Sequence, residues 1–553
     1  MIMKDYTIHY NGKVKSIKGN ACISSIMDIE DKDGFPLVAA FFNNELISLN
    51  SCVDINGNLR PLYLNSTAGV RLYRRTLCYV LEMAVRELFP EHRLVLSHSL
   101  GHSYYYHLDD SPVFSDADLN LIQDKMKDYI HRDLKIIPET ISWHEAREYF
   151  LEMNQKDTVL LLDSANQSRV RINCTGKYMA LRHEILMPSM GLLKAFDIMN
   201  YSEGFLLRYP PSKTPLKLKV FKDEPLLFSI YREYKSWGKI LNADTVGKMN
   251  SMISDKGQTE HFIHVSESLH NKKIAQIADS ILERRGEVKV VLIAGPSSSG
   301  KTTFTKKLCI QLQVVGFNPL MVSLDDYYHA PENVPLDEDG HPDLEALEAL
   351  DFPLLNQNLV QLFSGEETEI PIFDFKKGGR QEKGRLLKMQ DRSIIVMEGI
   401  HGLNKDLTPD IPVSQKFKVY ISALTQLNLD DHNRIATTDN RLIRRIVRDH
   451  QFRNYNAEKT LKIWPSVRRG EEKNIFPNQD QADAAFNSAL DYELAVLRMY
   501  AEPLLRSISP EKEEYGEAQR LLHFINNFSP IPSNMIPVDS ILREFIGDSS
   551  FKY

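Results

Sequence analysis

The sequence has few cysteines and no long apolar run, and both shortages restrict what kind of protein this can be. Its 553 residues include five scattered cysteines with no C-x-x-C pair: Cys22, Cys52, Cys78, Cys174 and Cys309. An odd, sparse set in so long a chain is typical of a reducing compartment and does not suggest a disulfide framework. No run of about 18 apolar residues occurs, so we expect no transmembrane helix.

The N-terminus and the charge balance exclude further classes. The first residues, MIMKDY, lack the apolar core of a signal peptide, so we expect a cytoplasmic protein with no membrane partner. The formal net charge of -7 argues against nucleic-acid binding by the whole chain but leaves room for a local basic patch. The hydrophobic fraction of 42% is ordinary for folded domains, and the length predicts three or four of them.

What the sequence does contain is a phosphate-binding pattern. Residues 295–302 read GPSSSGKT, which fits G-x-x-x-x-G-K-[ST]. A β-branched apolar run precedes them at 288–294, and helical apolar spacing follows at 303–312, so strand, loop and helix come in the required order. The alternative is a glycine-serine turn with a chance Lys-Thr. The candidate ATP-binding residues of the pattern are Gly295, Ser297, Ser298, Ser299, Gly300, Lys301, Thr302 and Thr303. Lys301 would pair with the β/γ-phosphates, and the Thr302 hydroxyl would reach Mg²⁺.

Two further strands end in acids. Leu320–Leu324 is followed by Asp325 and Asp326, and the strand at 392–398 ends in Glu398. Because chemistry in an open parallel sheet gathers at the carboxyl ends of strands, Asp325 is a candidate general base and Glu398 a candidate Mg²⁺ ligand. The alternative for the aspartates is a turn that ends the strand.

The most basic stretch lies at 441–454 and has helical apolar spacing on one side, with arginines mostly on the other. Guanidinium groups bind phosphate oxygens and stabilise transferring phosphoryl groups, so we interpret the helix as a mobile lid over ATP. The alternatives are a solvated helix face or an RNA-binding helix.

Candidate acceptor-side residues lie between these motifs. Asp343 precedes a predicted helix through Leu350, so it is either an N-cap or a ligand for the vicinal hydroxyls of a sugar. Phe373 and Arg380 lie in a strand followed by a glycine turn, and the aromatic ring would stack on a base or simply pack. Helical stretches at 482–505 and 516–527 follow, and we expect the amphipathic tail at 539–547 to pack on the protein.

The first 65 residues have alternating segments at 6–10 and 13–17 around an Asn-Gly turn. Such a pattern predicts a β-hairpin in a small β-rich module with no evident catalytic residue. We interpret this module as a structural or interaction domain.

Residues 66–211 mix helical and strand patterns. Residues 71–88 have helical spacing, and the apolar run at 158–162 predicts a strand. A connector follows at 212–284, in which 214–221 predicts another strand.

The N-terminal half resembles parts of threonyl-tRNA synthetases. Residues 1–65 resemble a TGS domain, and the helix beginning at Tyr73 resembles the start of the second additional domain, taken as 66–211. That family has an H-x-x-x-H pair and a later C-x-x-x-H pair in a metal-binding or editing site. The equivalent positions here are Arg75, Tyr79, Cys174 and Tyr178. One cysteine does not make a zinc site, so the resemblance implies the architecture without editing chemistry. The half is a candidate docking surface for RNA, another protein or a second copy of the chain.

Residues 280–510 resemble the uridine kinase/phosphoribulokinase family of P-loop kinases. Besides the P-loop, the matching motifs are SLDDYY at 323–328, HPD at 341–343, PIFDF at 371–375, EGI at 398–400 and RRIVRD at 444–449. The resemblance implies Asp325 as base and Asp343 as ribose ligand. It also implies Arg445, Arg448 and Arg453 as lid residues toward ATP, with Arg448 the best match and the candidate catalytic arginine.

Departures from the family concern the acceptor and the lid. Phe373 stands where nucleoside kinases of this family usually have tyrosine. Gly378 falls about where those kinases have a histidine that helps to recognise a pyrimidine base, and neither side chain is present here. The segment 424–439 before the basic helix is longer than expected.

The sequence therefore predicts an α/β protein whose kinase-like region, 285–553, has a mostly parallel sheet with flanking helices. The function we predict is ATP- and Mg²⁺-dependent phosphorylation of the 5′-hydroxyl of a nucleoside, by a chain that could form homo-oligomers. Two alternatives stay open: a kinase of another small alcohol, and an RNA- or ribosome-associated regulator that uses the P-loop as a nucleotide switch. ATP and GTP are not distinguished.

Overall fold

The structure, a computed structural model, describes residues 5–109, 113–336, 340, 342–374 and 379–552. Its contacts divide the chain into two compact units that alternate along the sequence. The first unit comprises Met1–Asp255, Gln426–Ile435 and Leu505–Ser529, and the second comprises Lys256–Thr425, Ala436–Leu504 and Pro530–Tyr553. The predicted domain boundaries are finer than this division and stay predictions. Within the described ranges, no helix is long and apolar enough to cross a bilayer.

The N-terminal module of the first unit is a mixed sheet. Its elements are β1 (Asp5–Tyr10), β2 (Lys13–Lys18), β3 (Ala21–Cys22), α1 (Ile23–Ile26), β4 (Leu37–Phe42), β5 (Glu45–Ile47), β6 (Cys52–Val53) and β7 (Gly57–Tyr63). Five strands follow the order β2-β1-β7-β4-β5, with β1 and β7 parallel in the interior. The predicted hairpin is confirmed as β1–β2, with Asn11 at φ 50° in its turn. Alternating residues such as Ile8 and Leu59 fill the core beneath the sheet.

The rest of the first unit before residue 210 combines two sheets with packed helices. Its elements are α2 (Thr67–Leu88), β8 (Leu94–Ser99), β9 (Ser103–Leu108), α3 (Asp116–His131), β10 (Ile137–Ser142), α4 (Trp143–Glu152), α5 (Lys156–Ala165), β11 (Arg169–Thr175), β12 (Tyr178–Leu181), β13 (Asp197–Tyr201) and β14 (Gly204–Arg208). The sheets have the orders β13-β14-β9-β8 and β10-β11-β12.

The strand predicted at 158–162 is wrong, because this run is the middle of helix α5. Val159 and Leu162 lie one turn apart and pack with Phe150 in a shared core. A short apolar run is compatible with either a strand or a buried helix face, and here packing against Phe150 stabilises the helix.

Three helices follow: α6 (Pro225–Ile240), α7 (Val246–Ile253) and α8 (Lys256–Glu283). The strand predicted at 214–221 is also wrong. Lys217 N bonds to Thr214 O in a turn, and Val220 is 96% exposed. None of the sheets in the described residues includes this stretch.

The second unit is built on a parallel sheet. The remaining elements of the chain are β15 (Val290–Ala294), α9 (Lys301–Val314), β16 (Asn318–Ser323), α10 (Phe352–Phe363), β17 (Thr368–Ile370), β18 (Phe373–Asp374), β19 (Gly379–Arg380), β20 (Arg385–Leu387), β21 (Ser393–Glu398), β22 (Lys416–Ser422), α11 (Thr437–Arg453), α12 (Ala457–Asn474), β23 (Ala484–Asn487), α13 (Glu493–Arg506), α14 (Tyr515–Ile525) and α15 (Arg543–Ile546). The order β16-β21-β15-β22-β23 is parallel throughout, which confirms the predicted fold class.

Local predictions in this region hold only in part. The predicted helix through Leu350 is reduced to a 3₁₀ turn at Leu347–Ala349. The stretch at 482–505 is divided between strand β23 and helix α13. Helix α14 confirms the helix predicted at 516–527 and lies in the first unit. His341 and Gly378 lie outside the described residues.

Candidate active site

The P-loop connects β15 to α9, as its sequence predicts. Gly300 adopts φ +81° just before the helix, a conformation that favours glycine. A Cβ atom on Gly295 would lie 2.0 Å from Ile421 O of the neighbouring strand, so only glycine fits there. The chain therefore turns tightly and presents the first N–H groups of α9, which bind phosphate oxygens in such loops.

Lys301 lies at the start of α9 and folds back over the loop. Its Nζ donates to Gly295 O at 2.9 Å and to Pro296 O at 3.2 Å. Burial lowers the pKa of Lys301, while the carboxylates of Glu398 and Asp325 raise it. The ammonium group is thus held between the loop and two acids, where it can pair with phosphate oxygens.

Thr302 and Glu398 together form an oxygen-rich corner. The Thr302 hydroxyl donates to Glu398 Oε1 at 2.9 Å, and β21 places Glu398 beside β15 opposite Ile293. Burial raises the pKa of Glu398 to about 7, and Lys301 acts in the opposite direction. A hydroxyl and a carboxylate are ligands that suit Mg²⁺, which usually takes its remaining ligands from phosphates and water. The residues present therefore fit the ion.

The two aspartates after β16 have different surroundings. Asp326 Oδ1 accepts a hydrogen bond from Phe373 N at 3.1 Å, so it ties the strand end to β18. Asp325 instead lies close to Lys301 and Arg448, whose charges lower its pKa against the larger raising effect of burial. Asp325 is therefore the aspartate that faces the P-loop.

Asp343 lies in a turn instead of at the start of the predicted helix. Its Oδ1 accepts from Glu345 N at 3.2 Å, and its Oδ2 lies 3.4 Å from Lys473 Nζ. The N-cap interpretation is wrong, because only the short 3₁₀ turn follows. A role in substrate binding stays a prediction.

Glu345 is a site residue that sequence reasoning missed. Burial raises its pKa to about 7, and Glu471, Arg445, Lys301 and Asp325 are the charges that act on it most. A half-buried acid on which these charges act is a candidate site residue. Its sequence context, DLEALEALD, gives no signal beyond a polar loop.

Phe373 and Arg380 are paired across the hairpin β18–β19. The Phe373 ring packs edge-on against Tyr328 at a centroid distance of 6.2 Å. Arg380 donates to Asp351 Oδ2 at 3.0 Å and to Tyr327 O at 2.8 Å, so its guanidinium already braces the hairpin. Substrate binding by either residue stays a prediction.

Two arginines of α11 brace the P-loop from within the protein. Arg441 binds Glu471 with both terminal nitrogens and donates to Ser297 O at 3.2 Å. Arg444 binds Glu493 and donates to Ser298 O at 3.2 Å. The interpretation that the arginines lie apart from the packed side of the helix is wrong for this pair, because both side chains are fully buried.

The other three arginines form a cationic group around Asp449. Arg445 donates to Ser297 Oγ at 2.7 Å, and Arg448 and Arg453 lie 3.7 and 3.5 Å from Asp449 Oδ1. Burial, followed by repulsion from Arg453, lowers the pKa of Arg448 to about 10. One carboxylate shared by three guanidinium groups leaves excess positive charge beside the P-loop. Such a site attracts phosphate anions, whereas the motion of a lid stays a prediction.

In the first unit, the positions equivalent to the synthetase metal-binding or editing site form an aromatic and polar cluster. The Tyr79 hydroxyl donates to Thr175 Oγ1 at 3.1 Å, and its ring packs edge-on against Tyr178 at 5.1 Å. Arg75 donates to Asn433 Oδ1 at 2.6 Å, and Cys174 is buried. In the described part of the chain, no three His, Cys, Asp or Glu side chains lie together so that they could hold a metal ion.

Residues 426–435 explain the unexpected length before the basic helix. This loop belongs to the first unit, although kinase-like sequence flanks it on both sides. Asp430 lies 2.6 Å from His183, and Asp431 accepts hydrogen bonds from Thr158 N at 2.9 Å and Arg93 Nε at 2.8 Å. Asn428 donates to the carbonyl of Leu96. The extra residues are therefore a structural insertion into the first unit.

Comparison with known proteins finds a family match in the kinase-like region. Residues 290–495 match the Phosphoribulokinase / Uridine kinase family. The match contains Asp325, Glu398 and Arg448, and it confirms the predicted resemblance. A uridine kinase of Macrococcus caseolyticus is 28% identical over 195 residues, which are 35% of this chain and 85% of that protein. A possible uridine kinase from Bacillus stearothermophilus is 19% identical, with a TM-score of 0.27 over 39% of this chain and 98% of the other.

The N-terminal region resembles a different group. A threonine–tRNA ligase of Syntrophomonas wolfei is 27% identical over 189 residues, or 34% of this chain. The chain spans about 30% of the length of that relative. The synthetase-like resemblance is confirmed, and the TGS assignment within it stays a prediction.

Proposed function

We propose that this chain transfers the γ-phosphoryl group of ATP to the 5′-hydroxyl of a nucleoside. The observation that carries the proposal is the position of Asp325: it follows a sheet strand, faces Lys301 and Arg448, and is not used to hold the backbone as Asp326 is. A nucleotide switch needs a P-loop but no base beside it. A kinase of a small alcohol needs both.

The geometry supports a direct displacement. The acceptor oxygen attacks the γ-phosphorus, the bond to the β,γ-bridging oxygen breaks, and the hydroxyl proton passes to Asp325. Because burial raises the pKa of Asp325, this carboxylate is a better proton acceptor than an exposed aspartate. Lys301 and Arg448 stabilise the charge on the transferring group. Mg²⁺, held by Thr302 and Glu398, would neutralise phosphate charge when bound.

The carboxyl groups on the acceptor side of the site favour a polyhydroxy compound as the phosphoryl acceptor. Glu345 and Asp343 place two carboxyl groups in the segment after β16, and the charges of Lys301 and Asp325 act on the pKa of Glu345. Carboxyl groups accept hydrogen bonds from vicinal hydroxyls such as those of ribose. The similarity to uridine kinases favours a nucleoside, and Phe373 offers an aromatic face for its base.

A panel of acceptors tests this proposal. ADP formation is measured with ribonucleosides, small sugars and hydroxy acids as acceptors. We expect turnover with a nucleoside and a loss of roughly 10²- to 10⁴-fold in Asp325→Asn, the usual contribution of a general base. Asp326→Asn is the matched control, because its amide oxygen still accepts from Phe373 N, and it should retain most of the turnover.

The other outcomes point elsewhere. Turnover only with a non-nucleoside alcohol would replace the acceptor but keep the mechanism. No acceptor-dependent turnover, together with salt-sensitive RNA binding, would support a nucleotide-switch regulator, for which the synthetase-like N-terminal region is the motivating observation.

A further inference from the structure

The C-terminal segment of the second unit packs on the P-loop. We call residues 536–547 the C-terminal strap. Its side chains Ile541, Leu542 and Phe545 are fully buried. Ile541 packs on the loop so closely that its Cγ2 would lie 2.6 Å from a Cβ atom on Gly300. The predicted packing of the tail is confirmed, and the surface on which it packs is the nucleotide site.

One strap side chain accepts hydrogen bonds at the N-terminus of α9, the helix that follows the P-loop. Glu544 Oε2 accepts hydrogen bonds from Thr303 N at 3.0 Å and from Thr303 Oγ1 at 2.8 Å. Thr303 is the third residue of α9, and the first four N–H groups of a helix have no partner within it. In a P-loop these are the groups that hold nucleotide phosphates. A carboxylate of the chain itself therefore stands where a phosphate oxygen is expected.

The charge of Glu544 reaches the other phosphate-binding groups. It raises the pKa of both Lys301 and Arg448, so it lies close to the two cations that would bind the nucleotide. A negative phosphate and this carboxylate would repel each other at so short a separation.

The strap has anchors that do not depend on Glu544. The Phe545 ring lies 4.9 Å from the Arg444 guanidinium of α11, and Arg543 holds the strap's own fold by donating to Ser533 O at 2.9 Å and Ile536 O at 2.7 Å. The Glu544 side chain can therefore leave Thr303 while the strap stays in place.

We propose that Glu544 is an internal competitor of the nucleotide. Its carboxylate leaves Thr303 when a phosphate group binds there and returns when the site empties. This inference rests on the proposed nucleotide-dependent function. It makes Glu544 a residue that weakens nucleotide binding and favours release of the product nucleotide.

The test is the affinity of the full chain for ADP with Mg²⁺, measured by titration calorimetry. Glu544→Gln removes the charge but keeps an oxygen that can accept from Thr303, and Glu544→Ala removes both. We expect each variant to bind ADP about 5- to 30-fold more tightly, the factor expected for a charge at a helix N-terminus. Asp539→Asn is the matched control, because Asp539 pairs with Lys307 further along α9 and should leave ADP affinity unchanged.

A second readout follows the strap directly. Hydrogen exchange of the wild-type amides at 543–547 should stay unchanged when ADP binds, because the other contacts hold the strap while the Glu544 side chain leaves Thr303. Equal or weaker ADP binding by both Glu544 variants would make Glu544 a helix cap and overturn the inference. Absence of ADP binding by every protein, including wild type, would instead overturn the proposed function.

A different observation points to a modification site in the N-terminal module. Cys22 and Cys52 lie directly opposite each other in the antiparallel pair β3–β6, with Sγ atoms 3.0 Å apart. Directly opposed residues in such a ladder have Cα atoms roughly 4.5–5.5 Å apart, within the range that a disulfide spans. Cys52 is exposed, whereas the other three cysteines, Cys78, Cys174 and Cys309, are buried.

We infer that Cys22 and Cys52 form an intramolecular disulfide when a small-molecule disulfide oxidant is present. One thiolate attacks the oxidant and releases its first thiol. The second cysteine then attacks the mixed disulfide and releases the second thiol, so two protein thiols are oxidised and one disulfide is reduced to two thiols. The scattered sequence positions gave no sign of this pair.

Peptide mapping tests this second inference. The full chain is incubated with oxidised glutathione, alkylated, digested with trypsin and analysed by mass spectrometry. We expect the peptides of Cys22 and Cys52 to be linked, and Cys52→Ser to leave Cys22 joined to glutathione. Separate glutathione adducts on both wild-type cysteines, or two alkylated thiols, would overturn the inference.

Discussion

At the residue scale, neighbouring side chains of one type have different roles, and geometry alone separates them. Asp325 and Asp326 are adjacent, but Asp326 is held by a backbone N–H of β18 while Asp325 faces Lys301. Glu398 ends the neighbouring strand β21, and its carboxylate accepts a hydrogen bond from the Thr302 hydroxyl. These three acids are therefore expected to respond differently to substitution and to pH.

The raised pKa of Glu398 predicts a pH dependence of nucleotide binding. Its pKa of about 7 means that the carboxyl is neutral below that pH and ionised above it, and only the ionised form binds a cation. We therefore expect Mg²⁺-dependent binding of ADP to weaken as the pH falls below 7, by roughly tenfold per unit. Calorimetry at pH 6 and pH 8 checks this, with Mg²⁺-free ADP as the control. Stronger Mg²⁺ dependence at pH 6 than at pH 8 would contradict the role of Glu398.

At the element scale, helix α11 combines a structural and a functional part. Its arginines at 441 and 444 lie inside the protein and hold the P-loop carbonyls, whereas those at 445, 448 and 453 share Asp449 beside the site. The helical spacing predicted the helix correctly. It could not show which arginines are buried, because their partners Glu471 and Glu493 come from other elements.

Arg444→Met tests the structural part. The substitution leaves Glu493 buried without its cation, so we expect a loss of about 3–5 kcal/mol in the free energy of unfolding. Denaturant unfolding measures it. A change below 1 kcal/mol would mean that the pair is not a brace of the P-loop.

Arg448→Met tests the functional part. Arg448 shares Asp449, 3.7 Å away, with Arg445 and Arg453, so its removal leaves that carboxylate paired and should change stability little. We expect kcat to fall on the order of 10³-fold, as for other arginines that stabilise phosphoryl transfer. Steady-state kinetics and a parallel unfolding curve check this. An unchanged kcat would remove Arg448 from the mechanism.

At the scale of the whole molecule, the chain passes between its two units more than once. The insertion at 426–435 is buried in the first unit, where Asp431 receives hydrogen bonds from Thr158 and Arg93. The polar segment Leu429–Asn433 is therefore part of a folded core and not a surface loop.

Asp431→Ala should destabilise the first unit. Asp431 is 2% exposed, and its removal leaves the Thr158 N–H without its acceptor and takes one carboxylate partner from Arg93. We expect a loss of roughly 3–5 kcal/mol, the usual cost of breaking a buried charge network. Thermal unfolding measures it, with the exposed Asp124→Asn as the control that changes stability by less than about 0.5 kcal/mol. Equal curves for the two variants would contradict the account of the insertion.

The degenerate metal site predicts the composition of the purified protein. Arg75, Tyr79 and Tyr178 replace three family positions, and Tyr79 is already bonded to Thr175. We expect less than stoichiometric zinc by elemental analysis. One zinc ion per chain would show that the N-terminal half holds a metal site after all.

How much the sequence could predict depended on how local each signal is. The P-loop, Asp325 and Glu398 are set by short patterns at strand ends, and the structure brings all three together. Glu345, Glu544 and the Cys22–Cys52 pair depend on contacts between distant segments, and no spacing in the sequence encodes such contacts. The strand prediction at 158–162 was wrong for a different reason, since these residues suit a strand and a buried helix equally well.

The central claim is that the P-loop and Asp325 transfer phosphate to a small-molecule hydroxyl. Its most direct measurement follows the label from γ-labelled ATP in the presence of uridine and other nucleosides. We predict label on the 5′-oxygen of one nucleoside with the wild-type chain, and almost none with Asp325→Asn. Label recovered only as inorganic phosphate, at the same rate with and without every acceptor, would contradict the account.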